Sequence, residues 1–297
     1  MLADKTGKIH TFSAPTLPIT AKDNTGIDRH PEIMEREGQS FNFDGERKED
    51  PLSTLTIKFK KPPESERGKF LIRGKTSLWA GQMNYELSSL FGRYFKPYIE
   101  KQAKSTADQN IKWMKDQGVV LQVYLKTAEG WKYLDYFDLA SSLAWREMVM
   151  PIELSEVRTD TVELMLKSGF MFWELDYAAM DFSVNEPVEI QVIKPHSALD
   201  SLGRDYTREL TEIDTLYHKS YATGDYTTVK YPAIAPSDGM NQTVLLHSRG
   251  YYKRSMEFTG KPQVKLLKTF KQPGAFSEFS RVKYNTVVET LSQASNK

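Results

Sequence analysis

The chain has 297 residues, of which 39% are hydrophobic and 27% charged, an ordinary balance for a globular protein with one large or two smaller cores. Its 40 basic residues nearly cancel its 39 acidic ones, so no general basic field exists to hold a polyphosphate backbone, and nucleic acid is not an expected partner. Cysteine is absent, which excludes disulfide frameworks, zinc–thiolate sites, iron–sulfur centres and cysteine nucleophiles.

Met1-Leu2-Ala3-Asp4-Lys5 has no apolar stretch behind it, so the expectation is no signal peptide and a chain cut from a longer protein. Strand-like segments follow at 8–13, 17–21, 55–60 and 70–73, separated by polar loops at 45–51 and 61–68. Residues 1–76 therefore read as a strand-rich part of a sandwich. The period then changes. Leu78, Trp79, Met83, Leu87, Leu90 and Phe91 recur at three- and four-residue spacing, which predicts a helix with Ser77 or Thr76 as its N-cap. A second helix over 107–116, with Ile111 and Met114 inward and Gly118 closing it, completes a helical insertion at 77–117.

From Val119 the strand pattern returns. Even the longest apolar runs, such as Val119-Val120-Leu121, fall far short of the ~20 residues of a membrane helix, so no membrane insertion is expected. Segments 119–126 and 131–137 flank a Thr127-Ala128-Glu129-Gly130 turn and predict a hairpin. Further strands are expected at 145–153, 162–167, 170–178, 188–194, 217–221, 226–231 and 242–248, giving a main sandwich over 118–260. An irregular segment and a helix starting near Ser277, with Phe279, Val282, Val287 and Leu291 along it, occupy 261–297.

The densest pattern is 162–177, read as two strands joined by a Ser168-Gly169 turn. Alternation places Met171, Trp173, Leu175 and Tyr177 on one face and Phe170, Phe172, Glu174 and Asp176 on the other. A face of Met, Trp, Leu and Tyr has to be buried, which predicts the centre of a β-sandwich. The expected fold is mainly β within an α+β class, a jelly-roll-like sandwich with a helical insertion and a C-terminal helix.

Chemistry-bearing patterns are few. Glu174 and Asp176, roughly 7 Å apart along one strand face, suit a two-carboxylate hydrolase only weakly, because neighbouring acids on one strand are more often a polar rim. The loops Asp23-Asn24-Thr25-Gly26-Ile27-Asp28 and Asp200-Ser201-Leu202-Gly203-Arg204-Asp205 share Asp-x-x-Gly-x-Asp. Asp23, Asp28, Asp200 and Asp205 would be calcium ligands in one reading and turn-forming acceptors in the other. The turn is favoured, since a calcium cage needs six to eight oxygens. The histidines never adopt metal-ligand spacing, and no metal or cofactor is expected. Trp131, Tyr133, Arg249, Tyr251 and Tyr252 are the candidate ligand-binding residues: the rings stack on a ligand, and Arg249 donates in fork geometry to hydroxyls or carboxylates.

Five phrases carry a resemblance: Leu17-Pro18-Ile19 with Ala21 and Asp23; Gly74-Lys75-Thr76-Ser77-Leu78-Trp79-Ala80; Gly169 through Asp181; Leu246-His247-Ser248-Arg249-Gly250-Tyr251-Tyr252; and Lys271-Gln272-Pro273-Gly274-Ala275-Phe276-Ser277. In this order they resemble the C-terminal region of large exported bacterial proteins with tetratricopeptide, FG-GAP or ASPIC/UnbV-type modules upstream. Phe172-Trp173-Glu174-Leu175-Asp176-Tyr177 is also similar to a core strand of galactose-binding-like sandwiches. The resemblance implies an exported periplasmic or surface module and no catalytic residue. The leading expectation is a non-catalytic binding module whose partners are carbohydrate or envelope proteins. A carboxylate-pair hydrolase and a structural spacer are the alternatives.

Overall fold

Alternation along Leu55-Thr56-Ile57-Lys58-Phe59 and Val162-Glu163-Leu164-Met165-Leu166 sends the apolar row into a core and the polar row outward, and the two segments pair in that register. The computed structural model describes residues 1–45, 50–236, 239, 242–250 and 256–295. Two units separate within it: residues 1–185 with 256–297, and residues 186–255.

The larger unit begins with a small ribbon, β1 (Leu2–Ala3) against β2 (Ile9–His10), followed by β3 (Thr20–Asp23), β4 (Phe41–Asn42), β5 (Ser53–Lys60) and β6 (Arg67–Thr76). The helical insertion holds α1 (Leu78–Ser89), α2 (Phe95–Gln102) and α3 (Ala107–Asp116). Then come β7 (Leu121–Thr127), β8 (Gly130–Phe137), β9 (Arg146–Glu153), β10 (Thr161–Ser168) and β11 (Trp173–Asp181). Two antiparallel sheets result, in the orders β3-β5-β10-β7-β8 and β4-β11-β6-β9. Their inner faces share one core, with Leu55, Ile57, Phe59, Leu121, Val123, Val162 and Leu164 from the first and Phe70, Ile72, Met150, Trp173, Leu175 and Met180 from the second. Phe59 and Phe70 touch across it, ring centroids 6.0 Å apart. From β3 to β11 every connection except β7–β8 passes from one sheet to the other. This is the sheet-switching habit of a jelly-roll-like sandwich.

α1 and α3 form where the period predicts, whereas α2 is a helix that the pattern did not announce. Ser77 caps α1 by accepting from the Ala80 N–H at 2.9 Å, and Met83 is buried with Trp79 and Leu87 packed beside it. In α3 the residue packed on the core is Trp113, which donates to the Phe270 carbonyl at 2.9 Å, while Ile111 and Met114 are half-buried. After residue 256 the chain adds α5 (Val264–Thr269) and α6 (Ala275–Ser295). Phe276 and Phe279 seat the start of α6 on the core, whereas Val282, Val287 and Leu291 are exposed. Val282 lies on the outer side of a turn whose inner side still packs, through Ser280 on the Phe170 carbonyl and Tyr284 on Trp79 and Phe170, and Val287 and Leu291 lie beyond those contacts.

The segment 162–177 differs from its expected form. β10 and β11 do not pair with each other: β10 is the middle strand of one sheet and β11 belongs to the other, so 169–172 is an arch between layers. Met171 takes a left-handed φ of 60° to make it. Phe170 and Phe172 are buried beneath α6, Phe172 lying 5.5 Å from Phe276. Trp173 and Leu175 are fully buried as expected. A bulge at Asp176 then reverses the alternation, so Ala178 and Met180 face the core and Tyr177 turns outward under Arg36.

The smaller unit contains β12 (Ser197–Asp200), α4 (Thr207–Thr211) and β13 (Thr227–Lys230), with β12 and β13 paired. Residues 188–194, 217–221 and 242–248, read as strands from their pattern, have no strand structure. Pro187 and Pro195 bracket the first, and apolar alternation without a partner leaves backbone N–H and C=O groups better served by water. The sandwich therefore stops at 185 and is completed by 256–297.

Candidate functional site

Three cross-strand rows cover the outer face of the five-stranded sheet. Lys22, Thr56, Met165, Tyr124 and Tyr133 are register neighbours from one edge to the other. Thr54, Lys167, Gln122 and Tyr136 form the next row. On the opposite side lie Thr20, Lys58 and Glu163, then Lys126 paired with Trp131. A bulge fixes which β8 residues face out: Val123 pairs with Asp135 and Tyr124 with Tyr133, leaving Leu134 as the extra residue. That insertion lets Trp131, Tyr133 and Tyr136 share one face despite their odd spacing.

Trp131 and Tyr133 are 36% and 38% exposed, enough to offer ring faces to a ligand. Tyr124 and Tyr133 meet edge to face with centroids 5.4 Å apart. The Lys126 ammonium sits 5.2 Å from the Trp131 ring, and that of Lys115 sits 4.7 Å from Tyr133 and 4.8 Å from Tyr136. Tyr124 donates to Gln122 Oε1 at 3.1 Å, and Gln122 Nε2 donates to the Lys115 carbonyl at 2.9 Å, which holds the amide in place. Burial, reinforced by the Asp135 charge, pushes the Tyr133 phenol up to about 12. Burial and the neighbouring Tyr133 likewise raise Tyr124, so both remain neutral hydroxyls. Two hollows flank these rings. One of about 510 Å³ is lined by Lys22, Thr56, Lys58, Trp131, Glu163 and Met165, and one of about 220 Å³ by Asp50, Lys115, Gln122, Tyr124 and Lys167.

Of the residues chosen from sequence, Trp131 and Tyr133 come together here. Arg249 is exposed but belongs to the 186–255 unit, and Tyr251 and Tyr252 lie outside the described residues. Tyr124, Tyr136, Lys115 and Lys126 were not singled out. Tyr124 does stand as the ring in the polar row of Leu121-Gln122-Val123-Tyr124-Leu125, but Tyr136 becomes legible only with the bulge.

Glu174 and Asp176 lie on the outer side of the other sheet. The Glu174 carboxylate pairs with Lys75 at 3.1 Å. Asp176 is 1% exposed, pairs with Arg73 through Oδ2 and accepts the Glu37 N–H at 3.0 Å. Four β6 residues on this side make such pairs, Arg67 with Glu153, Lys69 with Asp181, Arg73 with Asp176 and Lys75 with Glu174, interrupted by Leu71. The two acids thus stand among these ion pairs, with Asp176 closed off from substrate.

The Asp-x-x-Gly loops are turns. Asp23 Oδ1 accepts from the Thr25 N–H at 2.8 Å and the Ile27 N–H at 3.1 Å, Oδ2 accepts from Arg29 at 2.8 Å, and Gly26 has a φ of 86°. Asp200 repeats this with Leu202, Arg204 and Gly203. Asp28 and Asp205 accept from the His30 and Thr207 N–H groups at 3.0 and 2.8 Å. Asp4 builds a third copy that the sequence reading missed, with Thr6, Lys8, Gly7 and His10 in the corresponding places. Among the described residues no cluster of three or more His, Asp or Glu is placed to hold a metal. No protein-family model matches the chain, and no curated protein matches it either.

Proposed function

We propose that the chain is a non-catalytic binding module whose outer five-stranded sheet face takes a glycan. One observation carries this: four aromatic side chains, Trp131, Tyr133, Tyr124 and Tyr136, gather on one sheet face, with Trp131 and Tyr133 exposed, beside amide, hydroxyl and ammonium groups. Sugar rings present apolar faces that stack on aromatics and hydroxyls that need fixed donors and acceptors, and this surface supplies both. The exported bacterial setting implied by the resemblance is part of the same reading, in which the module tethers a larger protein to envelope material. A glycan array with the full chain, repeated with Trp131→Ala, tests it. Binding to at least one glycan, weakened roughly tenfold or more in the variant, is expected. An array blank for the wild type, or affinity untouched by loss of Trp131, sinks the proposal.

A further inference from the structure

The lysines of this face are not equivalent. Lys58 is neutralised by Glu163 at 3.1 Å, and Lys167 by Asp50. Lys22, Lys115 and Lys126 have no carboxylate partner among the described residues. Two of the three are held against rings, Lys115 over Tyr133 and Tyr136 and Lys126 over Trp131. An ammonium parked on a ring has already lost part of its rotamer freedom, so less entropy remains to be lost when an anion arrives. Lys22 stands at the far edge of the row that ends in Tyr133, four inter-strand gaps or roughly 19 Å away. Unpaired positive charge thus lies at both edges, with neutral Thr56, Met165 and Tyr124 between.

Taking the binding-platform reading as its basis, we propose that the ligand is an acidic polysaccharide, a chain of carboxylate-bearing sugars. Its rings stack on Trp131 and Tyr133, and its carboxylates meet Lys126 and Lys115 at one end and Lys22 at the other. A neutral glycan would leave three ammonium groups without an anion at the surface where it binds. A nucleic acid strand is the less favoured polyanion, because the chain's net charge of +1 offers no extended field along which a phosphate backbone could run.

The test uses the full chain with four probes: polygalacturonate, alginate, a neutral galactan and a thymidine oligonucleotide. At low salt the two polyuronates should bind at least about tenfold tighter than the galactan, and their binding should weaken about fivefold or more between about 0.05 and 0.5 M salt. A triple variant, Lys22→Gln with Lys115→Gln and Lys126→Gln, should lose the polyuronate preference while Trp131→Ala weakens polyuronate binding at every salt concentration. The salt series on the wild type keeps the test valid should the triple variant fold poorly. Equal or tighter binding of galactan overturns the acidic ligand and leaves the glycan platform standing, and tighter binding of the oligonucleotide overturns both. Binding of none of the probes also overturns the acidic ligand, and the array then decides whether the platform itself survives.

Discussion

At the residue scale, Trp173 shows how one side chain joins layers. It is fully buried, and its Nε1–H donates to the Val119 carbonyl at 3.0 Å, tying β11 to the segment entering the other sheet. Trp173→Ala removes the largest buried side chain and orphans that carbonyl, so a loss of about 3–5 kcal/mol is expected. A thermal melt shifted by less than a degree or two would contradict the assignment. Asp4 gives a prediction of a different kind. Burial by itself raises its pKa, but hydrogen bonds from Thr6, His10 and Lys8 outweigh that and hold the carboxyl at about 2, below its usual 3.8. A carboxylate depressed in the folded state stabilises it fully well above pH 3.8, and that contribution disappears as the pH falls to about 2. Asp4→Asn should therefore melt below the wild type at neutral pH, with the gap closing across that acid window. A gap that stays constant down to pH 2 would show that the charge contributes nothing.

At the element scale the three Asp-Gly turns make the same point with backbone. In each, carboxylate oxygens accept N–H groups two and four residues on, a glycine holds a φ between 79° and 86°, and a cationic or imidazole side chain closes the second oxygen. Oxygens already engaged by donors are poor cation ligands. EDTA should leave the melting temperature unchanged, and a fall that recovers with added calcium would defeat the turn assignment. The spacing of Asp and Gly was legible because turn chemistry is local. So was α1, whose period and Ser77 cap lie within one stretch of chain. The arch at 169–172 was not legible, because distant elements set it: Gly169 donates to the Gly118 carbonyl at 2.8 Å, Met171 to Phe43 at 2.9 Å, and Phe170 to Ser277 Oγ at 2.9 Å. A strand–turn–strand pattern cannot say whether its halves share a sheet. Nor does alternation announce a bulge, and two bulges decide that Tyr177 faces out and that Tyr136 joins Trp131. Trp131 and Tyr133 were readable because the hairpin holding them is, between β3 and β11, the one connection that stays within its sheet.

At the scale of the whole molecule, the sandwich unit draws on chain both before and after the 186–255 segment, whose described strands form a separate sheet. Residues 256–297 return to it through directional contacts. Gln117, fully buried, donates to the Phe270 and Gln272 carbonyls at 3.1 and 2.8 Å and accepts from the Phe276 N–H at 2.8 Å. Ser277 donates to the Pro51 carbonyl at 2.7 Å, and Ser280 links Trp79 to the Phe170 carbonyl. Phe270 and Phe276 add buried aromatic surface. By contrast, the 186–255 unit has, among its described residues, one pair of four-residue strands and leaves Val192, Tyr221, Val244 and Leu246 more than three-quarters exposed. Cleavage needs an accessible backbone outside a strand ladder, which 186–255 offers at the exposed Lys219 and Arg249 and the sandwich strands do not. Brief trypsin treatment should therefore nick this unit first. The two products should then co-elute in native gel filtration and separate only in denaturant, because the contacts through Gln117, Ser277 and Phe276 do not pass through the cut segment. A C-terminal fragment that leaves the N-terminal one without denaturant would mean that those contacts are too weak to complete the sandwich.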